Sequence, residues 1–189
     1  MTRKEKDALG IVNVPKNAYH GSFTVRAHEN FQISGIQAPD IFRVALGTVK
    51  KAAATTNAKL GVLDKKIAKH IVKACDEFIA GKFNDEFTLD PFQAGAGTPF
   101  NMNANEIIAN RAGEMMGAKR GSYEKVHPNN HVNMAQSTND TIPTTTRIAC
   151  LFSLVGLMQE LAKLEASFRK QGKKHHNLIK VGRTHLEDA

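Results

Sequence analysis

No tryptophan occurs in this 189-residue chain, and it has only two tyrosines and two cysteines. With so few large aromatic rings, a base-stacking platform for single-stranded nucleic acid has little to be built from. The thiols, Cys75 and Cys150, each fall among apolar residues of a helical pattern. They read as buried free thiols in a reducing compartment rather than as a disulfide, which makes the cytoplasm the default. Long apolar runs are missing too. The longest, Ile148 to Leu164, is broken by Ser153, Gln159, Glu160 and Lys163, so no membrane partner is expected. The opening MTRKEKDALG carries charge without the apolar segment of a secretory signal.

Hydrophobic residues at 41% and charged residues at 23% place the chain among folded globular proteins. Its length suits one substantial core, or a domain plus part of another. The net charge of +8 raises the question of nucleic acid, but the basic residues are scattered and mostly interrupted by acidic ones. A small acidic substrate or a solvated basic surface fits that balance at least as well, and no nucleic-acid partner is expected.

Along the chain, the first 35 residues read as extended and irregular, with β-branched and aromatic residues punctuated by Pro15 and Gly21. From Ile41 the period becomes helical: Ile41, Phe42, Ala45, Leu46 and Val49 share a face, and Gly61 marks a stop. A second helix has Asp64 as its cap, Ile67, Ile71, Cys75 and Phe78 as its stripe, and Gly81 as its end. A loop rich in Gly and Pro follows. Asn103 and Glu106, with cap-to-N3 spacing, then predict a third helix carrying Ile107, Ile108, Met115 and Met116. The longest element is predicted to start around Pro143 and to keep helical spacing through Phe168 to about Gly172. Such a helix is about 40 Å long, more than a compact domain of this size needs. It argues for a helical bundle of which this chain supplies one member, and the chain reads as a fragment of a larger protein.

Three polar stretches carry candidate chemistry. In QAGAGTPFNMNANE, residues 93 to 106, glycines would let backbone N–H groups approach an anion, although taken alone the stretch reads more readily as a plain loop between helices. No Lys-Ser or Lys-Thr follows the glycines, which excludes a nucleotide P-loop. In HVNMAQSTNDTIPTT, Ser137, Thr138, Asn139 and Asp140 are either helix caps or a set of hydrogen-bond donors at the positive end of the long helix. GRTHLEDA supplies Thr184 and His185, the latter able to change charge near neutral pH or simply structural. A Ser137–His185–Asp188 hydrolase triad is discounted, because no G-x-S-x-G elbow surrounds Ser137 and His185 lies only three residues from Asp188. His127 and His131 are four apart, but Pro128 between them disfavours a helical metal pair. No metal or cofactor is expected.

Taken in order, GAGTPFNMNANEIIANRA, HPNNHVNMAQSTNDTIPTTTRIA and KVGRTHLEDA resemble three successive blocks of the aspartase/fumarase superfamily of homotetrameric lyases. The resemblance extends to AYHGSFTVRAHENF and so covers essentially the whole chain. It implies a mainly α fold: a small N-terminal helical domain with short extended segments over residues 1–140, then from 141 to 189 the truncated start of a central helical bundle.

Within the superfamily, several details are similar to the aspartate ammonia-lyase branch rather than to class II fumarases. AYHGSFTVRAHENF stands where fumarases usually carry Trp-Gly-x-Gln-Thr-Gln; Ala-Gly-Ala-Gly-Thr stands where they tend to have Ser-Gly-Thr-Gln; and Gln-Ser-Thr-Asn-Asp stands where they prefer Ser-Ser. The resemblance implies reversible elimination of ammonia from L-aspartate to fumarate. Thr98, Ser137 and Thr138 would hold the β-carboxylate and its aci-carboxylate intermediate, Asn139 and His185 would contact the amino group, and Thr184 the α-carboxylate. The family's base is a serine in a mobile Gly-Ser-Ser-x-Met-Pro-x-Lys-x-Asn loop, and no such sequence occurs here. No catalytic residue is therefore expected in this piece, and it is expected to be inactive alone. The partners implied are a small dicarboxylate and other copies of the chain in a tetramer. Class II fumarase and a non-catalytic scaffold are the alternatives.

Overall fold

The computed structural model describes residues 1–188. Its packing divides the chain into a unit from Met1 to Cys150 and a second beginning at Leu151. The fold is mainly α.

The first unit opens with a hairpin. Strand β1 (Thr2–Asp7) pairs antiparallel with β2 (Gly10–Pro15), from Thr2 opposite Pro15 to Asp7 opposite Gly10. Val12 and Val14 alternate inward and are buried, as a one-sided strand requires. Helix α1 (Ser22–Asn30) follows, where the sequence predicts extended chain. Gly21 at its start provides no side-chain cap. The missing acceptor comes from far away: the Glu106 carboxylate accepts from the N–H groups of Gly21 (2.9 Å), Phe23 (3.0 Å) and Thr24 (3.1 Å), and from the Thr24 hydroxyl (2.6 Å). A local reading has no access to a cap supplied from another helix.

Helix α2 (Asp40–Lys59) packs against α3 (Lys65–Ile79), and α3 against α4 (Thr98–Met115). The Asp64 side chain caps α3 by accepting from Lys66 and Ile67 N–H at 2.9 Å, as its position in the sequence predicts. Between these helices lies the core, with Leu46, Ile71, Phe78, Ile107 and Ile108 fully buried. Phe42, Phe78, Phe87 and Phe100 form a chain of ring contacts at 5.3 to 5.5 Å.

Two helix starts differ from expectation. Helix α4 begins at Thr98, not Asn103, because Gly97 turns the chain and Pro99 suits the first turn. Asn103 and Glu106 consequently lie in the helix interior, both buried. Asn103 donates to the Thr24 hydroxyl and to the Glu86 carbonyl instead of capping. Helix α5 (Thr138–Lys174) starts five residues before Pro143, which is therefore inside the helix. Lacking an N–H, Pro143 leaves the Asn139 carbonyl without its usual donor.

From Leu151 on, α5 presents Leu151, Phe152, Val155, Leu157, Met158 and Leu164, each exposed. At 3.6 residues per turn these positions, with Leu154 and Leu161, spread over more than half the circumference. A helix so apolar needs neighbours on several sides. By length and composition α5 also passes as a membrane span, which corrects the expectation that no segment does. The four polar residues that interrupt it are too few to break the run, and a bundle's core helix has the same composition. Cys75 is buried as predicted, whereas Cys150 is exposed; neither forms a disulfide. Short strands β3 (Arg183–Thr184) and β4 (Glu187–Asp188) pair antiparallel after α5.

Candidate functional site

Two helix starts meet in the first unit. Gly97 precedes α4 with φ of +83°, a left-handed conformation that glycine adopts without strain. A Cβ there would stand 3.0 Å from the Ile142 side chain, so the residue also has to be small for α5 to pass. Thr98, the first residue of α4, is half-buried and lines a cleft of about 630 Å³ with Leu9, Phe23, Arg26 and Gly95. Ser137 precedes α5. Its carbonyl accepts from Thr141 N–H at 2.9 Å, and its Oγ accepts from Asn139 N–H at 3.2 Å. Capping is therefore a real part of what this residue does. Thr138 is half-buried, and its Oγ1 accepts from Asn101 Nδ2 at 3.0 Å. Asn101 is three residues after Thr98, so one side chain ties the first turn of α4 to the first turn of α5. The positive ends of two helices thus lie side by side, with hydroxyls on each, an arrangement that favours a carboxylate.

Beneath this junction lies a cation that sequence reasoning did not single out. Lys50 on α2 is fully buried, and its Nζ donates to Asn101 Oδ1 (2.6 Å), Asn133 Oδ1 (2.9 Å) and Gln136 Oε1 (2.9 Å). The amides are themselves fixed. Asn133 Nδ2 donates to the Gln136 carbonyl (3.1 Å), and Gln136 Nε2 to the Val132 carbonyl (2.9 Å). Burial pulls the Lys50 ammonium from its ordinary 10.5 down to about 7. Three amide oxygens opposite its three donors oppose that trend. Burial also pushes the nearby Cys75 thiol up to about 12, keeping it protonated and inert.

A signal for Lys50 did exist. Arg43, Lys50 and Asn57 recur every seven residues and are all buried on the α2 face that carries Leu46 and Ala54. Each finds carbonyl acceptors: Arg43 those of Phe78 and Ile79, and Asn57 that of Met134 (3.0 Å). Reading VKK as one of several scattered basic runs hides a lysine at a core position of the helical period.

Thr184 and His185 belong to the unit that begins at Leu151, whereas Thr98, Ser137, Thr138 and Asn139 belong to the first. Both are exposed; Thr184 pairs with Glu187 across β3 and β4, and the His185 carbonyl accepts from Arg183 at 3.1 Å. Asp188, the third member of the discounted triad, ends β4. His127 caps a short π-helical turn, Pro128–Val132, and His131 lies within it. His127 Nδ1 accepts from Asn129 N–H at 3.1 Å, and His131 Nδ1 from His127 N–H at 2.8 Å. Burial, and then the neighbouring His127, lower the His131 pKa. Among the described residues no group of three His, Cys, Asp or Glu side chains is arranged to hold a metal ion.

A family model described as Lyase matches residues 10–189. The chain belongs to the aspartase/fumarase superfamily of lyases. This lyase chain is 52% identical to an aspartate ammonia-lyase from a Bacillus species, over 99% of its own length and 40% of the relative's. It is 50% identical to a class II fumarate hydratase from Halobacterium salinarum, with the same coverage. The crystal structure of a fumarate lyase:delta crystallin from Brucella melitensis matches all of this chain and 44% of that one, with a TM-score of 0.87 at 48% identity. The lyase chain therefore spans about two-fifths of the length of the curated relatives it matches.

Proposed function

We propose that the full-length protein containing this chain eliminates ammonia from L-aspartate to give fumarate. The observation that carries the reading is the meeting of two helix starts with Thr98 on one and Thr138 on the other, joined through Asn101. Elimination requires a base to take a proton from the carbon beside the β-carboxylate. The electrons move into that carboxylate as an aci-carboxylate, then form the C=C bond as the C–N bond breaks and ammonia leaves. The difficulty is the extra negative charge on the carboxylate. Fixed neutral donors aimed at developing charge are each worth about 2.7–4 kcal/mol where comparable ones have been removed.

In this reading Thr98, Ser137 and Thr138 hold the β-carboxylate, Asn139 and His185 contact the amino group, and Thr184 holds the α-carboxylate. Neutral hydroxyls suit the task because they stabilise the intermediate without readily protonating it. The base serine comes from a downstream loop, and the site assembles from several subunits of a cytoplasmic homotetramer, with no metal, membrane or nucleic-acid partner. The domain boundary falls near residue 140, where α5 starts, and the exposed apolar face of α5 becomes bundle interior.

Aspartate is favoured over malate by AYHGSFTVRAHENF, Ala-Gly-Ala-Gly-Thr and Gln-Ser-Thr-Asn-Asp. The fumarase reading is favoured by the 50% identity to a fumarate hydratase. Fumarate absorbance, followed with the full-length protein and L-aspartate or malate in parallel, separates them: turnover of malate alone overturns the ammonia-lyase reading. The 189-residue chain by itself is expected to produce no fumarate from either substrate.

A further inference from the structure

We propose that Lys50 and Asn101 are positioning residues that set the hydrogen-bond polarity of the Thr138 hydroxyl, leaving its proton free for the substrate. The proposal rests on the carboxylate-cradle reading above. It starts from the chemistry of an ammonium group, which has three donors and no acceptor. Lys50 Nζ, fully buried, lies 2.6 Å from one end of the Asn101 amide, and that end has to be the oxygen. Amide ends are otherwise hard to tell apart, but here the cation dictates the choice.

With the oxygen fixed on Lys50, the amide nitrogen of Asn101 faces Asn133 Oδ1 at 3.2 Å and Thr138 Oγ1 at 3.0 Å. Both are acceptors. A nitrogen that donates to Thr138 Oγ1 forbids the hydroxyl proton from pointing back at Asn101. Among the described residues no acceptor takes that proton, and the side chain is only half-buried. The hydroxyl is thus an acceptor inward and a donor outward, the polarity a carboxylate needs. A flipped Asn101 would present its oxygen to Thr138 instead, drawing the proton inward and silencing the donor. Asn133 and Gln136 keep the ammonium in place, each accepting at 2.9 Å just before the Ser137–Asn139 stretch. The buried cation acts on the site through a chain of oriented dipoles rather than by contact with substrate.

The test uses the full-length protein and follows fumarate formation. Lys50→Met is the obvious variant, but it takes the ammonium donor away from Asn101 Oδ1, Asn133 Oδ1 and Gln136 Oε1 and threatens folding. Asn101→Asp is cleaner. A carboxylate still accepts from Lys50 but cannot donate to Thr138, so the hydroxyl proton turns inward. Melting temperature checks that the variant is folded. Asn101→Asp is expected to lower kcat by roughly 100-fold with a much smaller change in KM, as Thr138→Val does. Combining the two is expected to add less than about threefold, whereas Asn101→Asp with Ser137→Ala multiplies the two losses. Thr138→Val with unchanged kcat overturns the cradle reading itself. Impaired Thr138→Val beside unimpaired Asn101→Asp overturns only the polarity proposal, and so does a double variant whose losses multiply in full.

Discussion

Polar groups and apolar groups trade places between the two units. Within Met1–Cys150, charged side chains are drawn inside and matched: Glu106 to four donors around α1, Lys50 to three amide oxygens, and Asp90 to the 33–35 turn. Only Arg43 Nε, Asn103 Oδ1, Asn105 Oδ1 and Thr141 Oγ1 are buried without a partner among the described residues. From Leu151 on the pattern reverses, and Leu, Val, Met and Phe side chains face outward along α5. The first unit spends its sequence on specifying itself, since each matched polar group disfavours any other packing. The second presents these side chains as an exposed apolar face.

The contrast can be broken hardest at Glu106. Glu106→Ala leaves buried N–H groups of α1 without an acceptor, and the 189-residue chain is expected to lose about 3–5 kcal/mol in urea unfolding. A loss below 1 kcal/mol would mean that water replaces the carboxylate and that the match is incidental. Acid probes the same matching at Asp90. Burial pushes this carboxyl up, but donation from Ser34 and Gly35 N–H, Phe92 N–H and the Ser34 hydroxyl outweighs that and holds it at about 2, below its ordinary 3.8. Because the folded value is the lower one, the contribution is full above pH 3.8 and is lost as pH falls through about 2. Asp90→Asn is expected to flatten the acid limb of stability against pH, and an unchanged limb would remove Asp90 from the account. The smallest effect belongs to the second unit. Leu161→Glu on the exposed face is expected to change stability of the 189-residue chain by less than about 0.5 kcal/mol. A substantially larger loss, read by the same urea titration, would show that this face is covered in solution.

The same contrast explains what the sequence makes legible. Helix α3 could be read nearly end to end, because Asp64, the apolar stripe and Gly81 are local signals. The stretches around Thr98 and Ser137–Asn139 were legible as motifs, and the structure places both at helix starts. Helix α1 was not legible, because its cap is a carboxylate on α4. The start of α4 was misplaced since Asn103 and Glu106 imitate a capping box while serving α1 and the core. Lys50 escaped because its meaning depends on Asn101, Asn133 and Gln136, the last of them 86 residues away. Polar residues that work across long sequence separations look like ordinary surface until their partners are known.

The Glu106 cap also has a consequence in time. Thr24 leaves the ribosome 82 residues ahead of the carboxylate that completes its helix. At about 5–20 residues per second, α1 spends roughly 4 to 16 s as exposed chain without its cap. A nine-residue helix without tertiary support is too short to hold its shape in water. The segment AYHGSFTVRAHENF is therefore synthesised well before it can fold, and it waits for α4 to supply its cap.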